Sequence, residues 1–201
     1  KYSFVEVKQN NFNKEIKKKI NNKKTGGFNV TIPYKTKIIE HLDFINKHSQ
    51  NIGAVNCVTI GKKKKGINTD WFGYLNSIKS EKLNKNKKII MLGYGGASRA
   101  IFYGLKLKGY EKVYVFNRTK KAIKINSRIF YSKEYKLINS YLLDADLLIN
   151  TTPINPLNNK QISLVGKKTI ISDIVYKPKE TVFLKKFHKN KKIYGITMLI
   201  E

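Results

Sequence analysis

The stretch KIIMLGYGGASRAIFYGL, residues 88–105, constrains the fold more than any other part of this chain. Ile89, Ile90, Met91 and Leu92 form an apolar run of the kind found in a strand buried on both faces. Residues 93–96 are a glycine turn, and 97–107 carry Ala and Leu as a helix does. Strand, glycine loop and helix in that order present backbone N–H groups at a helix N-terminus, where a pyrophosphate binds. The spacing runs Gly93, Gly95 and then Ser98, where GxGxxG has its third glycine, so the motif alone is weak. Residues 112–117 (KVYVFN) read as the next strand, and its C-terminal end is where a dinucleotide's adenosine ribose is recognised. Asn117, Arg118 and Thr119 stand there in place of an acid, followed by Lys120 and Lys121. With no carboxylate to bond a 2′-hydroxyl or repel a phosphate, and a guanidinium able to grip one bidentately, the expectation is NADP rather than NAD. An ordinary exposed loop charge is the competing reading of Arg118.

The remaining segments alternate β and α patterns. Residues 2–7 (YSFVEV) alternate as a strand, and Phe12, Ile16 and Ile20 share one helical face. Residues 28–32 read as a strand stopped by Pro33, which places Lys35 just past a strand end. A helix over 34–44 and a strand over 54–60 follow, and GKKKKG (61–66) is a solvated hairpin turn. Asn68 and Thr69 are candidate helix N-caps, with Asp70 in the first turn, where a carboxylate complements the helix dipole. Spacing alone favours that dipole role for Asp70 over a chemical one. The polar stretch 80–88 marks a domain boundary near Ser80. Beyond the glycine loop, 146–151 (DLLINT) and 169–175 (TIISDIV) are strands ending at the same sheet edge, so Thr151, Thr152 and Val175 are expected near the cofactor. Tyr176, Pro178 and Thr181 punctuate the exit into a helix over 183–187, and 194–200 forms one more short element.

The net charge of +28 invites a polyanion-binding reading. The lysines, however, are spread through nearly every segment, and only Arg99, Arg118 and Arg128 are arginines, the preferred readers of phosphate and guanine. The charge is therefore read as compositional bias, with no specific nucleic-acid partner. Cys57 is the one cysteine, which rules out an internal disulfide framework and cysteine zinc sites. His41, His48 and His188 converge on no recognisable ligand set, so no metal is expected. No stretch reaches the ~20 apolar residues of a membrane span, and the expectation is a soluble, cytoplasmic chain. The sequence starts at Lys1 rather than methionine, from which a missing start is expected.

Taken together, GFNVTIPYK, GAVNCVTI, GINTDWFG, LGYGGASRA, FNRT, INTTP and DIVYKPKET resemble the shikimate dehydrogenase family, in order and in approximate spacing. The resemblance implies an α/β fold with two α/β domains around a cleft. Residues 1–80 would be the catalytic, substrate-binding domain, 81–195 a Rossmann-like NADP-binding domain, and 196–201 the start of the return to the first. It implies Lys35 as catalytic lysine with Asp70 as its partner, and Thr31, Asn56 and Tyr176 as substrate contacts. Gly93, Gly95, Gly96 and Ala97 would form the pyrophosphate loop, Asn117, Arg118 and Thr119 the 2′-phosphate turn, and Val175 and Gly195 would lie beside the nicotinamide. The implied reaction is reversible NADPH-dependent reduction of 3-dehydroshikimate to shikimate, by a monomer or homodimer.

The match has departures. The family's opening Ser-x-Ser segment, which holds the substrate carboxylate, does not precede Lys1, and its late glutamine would fall after Glu201. The resemblance thus implies a piece lacking both ends. Residues 151–156 read TTPINP where a glycine and a methionine usually follow the proline. Two alternatives remain: a quinate/shikimate dehydrogenase using NAD or NADP, and an inactive or polyanion-binding remnant.

Overall fold

The computed structural model describes residues 3–125 and 128–200. It forms two compact units, Lys1–Gln50 with Ala54–Asn68, and Asn51–Gly53 with Thr69–Glu201.

The first unit opens with helix α1 (Phe12–Asn21), which buries Phe12 and Ile16 as their spacing predicts. Strand β1 (Gly27–Asn29), strand β2 (Phe44–Ile45), helix α2 (Lys47–Ile52) and strands β3 (Cys57–Ile60) and β4 (Lys64–Ile67) follow. The strands form a four-stranded sheet in the order β1-β3-β4-β2. Phe12, Ile16, Val30, Tyr34, Ile38, Val55 and Val58 make its core, each fully buried side chain contributing roughly 1.5–3 kcal/mol. Tyr34 stacks on Phe12, ring centroids 4.3 Å apart and 9° from parallel, and its hydroxyl donates to the Val7 carbonyl.

Three expectations need correction in this unit. Residues 3–7 are not a strand, because they have no ladder partner among the described residues; Tyr2 lies outside those residues. The strand expected over 28–32 leaves its ladder after Asn29, because Val30 N turns to the Asn56 carbonyl at 2.8 Å and Tyr34 N closes a turn onto Thr31 O at 2.9 Å. Lys35 therefore sits in a turn beyond the strand. The helix expected over 34–44 is a 3-10 helix at Lys37–His41, because Phe44 and Ile45 pair in parallel with Lys65 and Gly66 of β4. The GKKKKG hairpin joins β3 to β4 as expected, and Asp43 clamps its far side by accepting from Lys64 N at 2.7 Å and pairing with Lys64 Nζ at 3.1 Å.

The second unit runs α3 (Asp70–Ser77), β5 (Ile89–Leu92), α4 (Gly96–Leu107), β6 (Val113–Asn117), β7 (Ala122–Ile125), β8 (Arg128–Tyr131), β9 (Lys133–Glu134), α5 (Asn139–Leu142), β10 (Leu147–Asn150), α6 (Asn159–Ser163), β11 (Ile170–Asp173), α7 (Val182–Lys185), β12 (Lys192–Ile193) and α8 (Gly195–Ile200). Its main sheet is six-stranded in the order β12-β11-β10-β5-β6-β9, and every pairing in it is parallel. Numbered by appearance, that order is the 3-2-1-4-5-6 arrangement of a Rossmann sheet. β7 and β8 form a separate antiparallel hairpin.

Every residue of β5 and β10 is buried. Alternate side chains feed two cores: Ile89, Met91, Leu147 and Ile149 face Tyr74, Leu75, Ile101, Phe102 and Leu105 of α3 and α4. Ile90, Leu92 and Leu148 face Leu142, Phe183 and Leu184 of α5 and α7. Apolar runs without alternation are what a parallel strand covered on both faces requires. The packing draws the line between units at Thr69 rather than near Ser80, because α3 docks on α4 and α8. The closing segment expected over 196–201 accordingly lies in α8, packed against α3, with Glu201 outside the described residues. Residues 194–200 hold α8, and β12 just ahead of it joins the main sheet.

Candidate functional site

In a sheet of this order, the crossovers from β5 and β10 run in opposite directions, which opens a crevice at their carboxyl ends. Gly93 leaves β5 there with φ +93. Its N–H reaches back to the Phe116 carbonyl at 2.7 Å, and its own carbonyl accepts the buried Ser98 hydroxyl at 2.8 Å. The residue standing where GxGxxG has its third glycine thus closes the loop from inside. Gly95 is the N-cap of α4, and no side chain among the described residues caps it. A Cβ placed on Gly95 would meet nothing within 4 Å. Gly96 and Ala97 begin the helix. Open space above uncapped N–H groups of a twelve-residue helix suits an anion.

The far side of the crevice is the loop after β10. Thr151 is tied to the Leu92 carbonyl through both Oγ1 at 2.6 Å and N at 3.0 Å. A Cβ on Gly93 would stand 2.7 Å from Thr152 Cγ2 and 3.0 Å from Thr151 Oγ1. Thr151 and Thr152 therefore border the glycine loop as their strand-end positions predict. TTPINP forms a closed turn about Asn150, whose Nδ2 donates to the carbonyls of Thr152 at 3.2 Å and Ile154 at 3.1 Å.

At the end of β6, Asn117 Nδ2 donates to the Thr119 carbonyl at 3.1 Å, shaping the turn that carries the exposed Arg118. Ser132 Oγ accepts from Lys121 N at 2.8 Å and donates to Thr119 O at 3.4 Å, which fastens the turn to β8's exit. The register partner of Asn117 is an acid, Glu134, but Lys136 holds it in an ion pair at 2.6 Å. A turn that carries an exposed guanidinium, beside a carboxylate already paired with a lysine, fits a 2′-phosphate.

Tyr135 escaped the sequence reading, since nothing in its local pattern marks it. Burial pushes its phenol up to about 12, against the opposing influences of the Gly93 backbone dipole and the charge of Arg118. It packs, partly buried, against the core of α5 and α7, within the field of Arg118.

Val175 follows β11, and its N–H donates to Asp173 Oδ1 at 3.0 Å. Tyr176 is exposed. Gly195 begins α8 directly against this loop: a Cβ there would lie 2.6 Å from Ile174 C, Ile174 O and Val175 C. Only a hydrogen fits at that contact. Gly195→Ala is expected to cost about 1–3 kcal/mol through overpacking, lowering Tm by roughly 2–4 °C per kcal/mol. An unchanged melting curve would show that the 174–175 backbone yields freely.

In the first unit, residues 54–56 are a hub. Asn56 O accepts from Val30 N at 2.8 Å, Val55 N donates to Lys35 O at 2.7 Å, Asn56 N donates to Ile67 O at 3.1 Å, and Ala54 O accepts from Asn68 Nδ2 at 3.0 Å. Thr31, Lys35 and Asn56, distant in sequence, are thereby drawn to one end of the small sheet. Of the two expected caps, Thr69 occupies the N-cap position of α3 without a side-chain capping bond, while Asn68 serves Ala54. Asp70 opens α3 in the second unit and is buried. Among the described residues no cluster of His, Cys, Asp and Glu is arranged to hold a metal, and no helix is long and apolar enough to cross a membrane.

A family model described as the shikimate dehydrogenase substrate binding domain matches residues 1–58. A protein of Caldanaerobacter subterraneus subsp. tengcongensis named shikimate dehydrogenase (NADP(+)) is 36% identical over 191 residues, covering 87% of this chain and 68% of the relative. The crystal structure of shikimate dehydrogenase 1 from Peptoclostridium difficile has a TM-score of 0.82 at 29% identity, over 98% of this chain and 74% of that one. The shikimate 5-dehydrogenase of Thermus thermophilus, solved in complex with NADP(H) and shikimate, has a TM-score of 0.74 at 28% identity, over 96% of this chain and 75% of that one.

Proposed function

We infer, from the premise that this chain belongs to the shikimate dehydrogenase family, that it is an NADP-dependent oxidoreductase that interconverts 3-dehydroshikimate and shikimate in aromatic biosynthesis. The observation that carries this reading is the 36% identity to an NADP-dependent shikimate dehydrogenase over most of the chain. The Rossmann strand order and the Gly93–Ser98 loop support it independently. In this reading the protein works in the cytoplasm.

NADPH supplies the hydride. Gly95, Gly96 and Ala97 would hold its pyrophosphate through the backbone N–H groups at the N-terminus of α4. Arg118 and its neighbours Asn117 and Thr119 hold the 2′-phosphate, while Val175 and Gly195 define the nicotinamide end. Thr31, Asn56 and Tyr176 bind the substrate. As the ketone is reduced, negative charge grows on its oxygen, and a positioned acid must neutralise it. Lys35 is that acid, first stabilising the charge as an ammonium and then delivering a proton from Nζ. Asp70 is assigned to the acid–base pair on the family resemblance. In the reverse direction Lys35 receives the proton from the shikimate hydroxyl.

The test is a two-by-two assay of shikimate and quinate with NADP and NAD. Activity with quinate and NAD that exceeds activity with shikimate and NADP would overturn the substrate and cofactor assignment. Arg118→Ala checks the phosphate contact separately. Losing charge-assisted bonds worth about 1.5–3 kcal/mol should raise the KM for NADP by roughly 10- to 150-fold and leave that for NAD nearly unchanged. Equal effects on both cofactors would remove Arg118 from phosphate recognition.

A further inference from the structure

Asp173 ends β11 with 1% of its surface exposed. A carboxylate this deep is costly unless hydrogen-bond donors surround it. Three do, from three parts of the fold. Thr181 Oγ1, at the N-cap of α7, donates to Asp173 Oδ2 at 2.6 Å. Asn150 Nδ2, at the end of β10, reaches the same oxygen at 3.3 Å. Val175 N, in the loop leaving β11, donates to Oδ1 at 3.0 Å. Burial raises the pKa of Asp173 and these donors oppose the rise.

The Asn150 amide extends the connection. Its two N–H groups are shared among Asp173 Oδ2 and the Thr152 and Ile154 carbonyls, and its Oδ1 accepts from Thr152 N at 3.1 Å and Thr152 Oγ1 at 2.8 Å. A continuous chain of hydrogen bonds thus runs from the loop after β10, through one carboxylate, to the loop after β11.

We propose that Asp173 is a positioning residue, which sets the register of the 151–154 loop against the 175–176 loop and so shapes the site for the nicotinamide half of the cofactor. The inference rests on the proposed function, in which both loops flank bound NADP.

A carboxylate is suited to this place because it only accepts, and all three neighbours arrive as donors. In Asp173→Asn the new amide N–H faces Val175 N–H in one orientation and the Asn150 amide in the other. Either way one loop is pushed off while the buried charge is relieved, so the fold loses little and the register is lost.

The experiment compares NADP affinity by fluorescence titration, NADPH kinetics and thermal melting in wild-type, Asp173→Asn and Thr181→Val protein. Asp173→Asn is expected to raise both the Kd for NADP and the KM for NADPH about tenfold or more, with Tm nearly unchanged. Thr181→Val loses the capping bond to Leu184 N and one donor to Asp173, but keeps both loop contacts. Its Tm should fall, while its NADP affinity stays within about twofold of wild type. An Asp173→Asn variant that binds NADP as wild type does would overturn the inference. So would equal weakening in Thr181→Val, because the carboxylate would then act only through the fold. If Asp173→Asn yields no folded protein, the half-buried Thr152→Val carries the same test, and there unchanged NADP affinity overturns the inference. Wild-type protein that binds no NADP would sink the proposed function itself, and this inference with it.

Discussion

Replacing Lys35 by methionine is expected to lower turnover by about 10²- to 10⁴-fold, the usual contribution of a positioned general acid, while NADP affinity stays at the wild-type level. The substitution keeps an unbranched side chain of similar reach and removes only the ammonium. The turn that carries it is held by its neighbours: Tyr34 is buried on Phe12, and the Lys35 carbonyl accepts from Val55 N at 2.7 Å. The backbone there does not depend on the charge, so a loss of rate in a protein with an unchanged melting curve reports on chemistry. Steady-state kinetics with 3-dehydroshikimate and NADPH, together with NADP titration, separate the two. Turnover near wild type would remove Lys35 from the proposed mechanism. A Tm that falls in step with the rate would assign it to the fold.

Gly93→Ala is the second large effect. A side chain at φ +93 is strained in its own backbone, by about 1–3 kcal/mol. Its Cβ would also press on Thr152 Cγ2 at 2.7 Å and Thr151 Oγ1 at 3.0 Å. Thr151 cannot retreat without giving up its double attachment to the Leu92 carbonyl. The glycine loop must move instead, and with it the start of α4. A misplacement of about 1 Å is enough to cost roughly 10²-fold, and kcat/KM for NADPH should fall on that scale, with a lower Tm. If NADP affinity and kcat/KM are both retained, the loop does not hold the pyrophosphate.

Much of the second unit was legible because its signals are local. A strand covered on both faces must be apolar at every position, and Ile89, Ile90, Met91 and Leu92 announce that without reference to any partner. The α1 helix was equally plain, since Phe12 and Ile16 recur at the helical period and both are buried. The errors fell where a distant partner decides. Residues 34–44 carry helical spacing, yet pairing of Phe44 and Ile45 with β4 takes the end of that segment into a sheet. Residues 28–32 look extended, yet the Asn56 carbonyl draws Val30 away from the ladder. Ser98, which reads as a defect in the glycine motif, is the residue that closes the loop.

The sequence by itself determined the α/β alternation, the glycine loop, the turn that favours NADP and, through ordered motifs, the family. Those features follow from side-chain periodicity and backbone preference, which are written within a dozen or so residues. Only the tertiary structure decided that Asp173, a lone acid within an apolar strand, is met by Asn150 and Thr181 at separations of 23 and 8 residues. Only it could show that Tyr135 is partly buried against the core of α5 and α7, within the field of Arg118. Hydrogen bonds between loops depend on how strands are ordered in space, and strand order leaves no periodic mark along the chain.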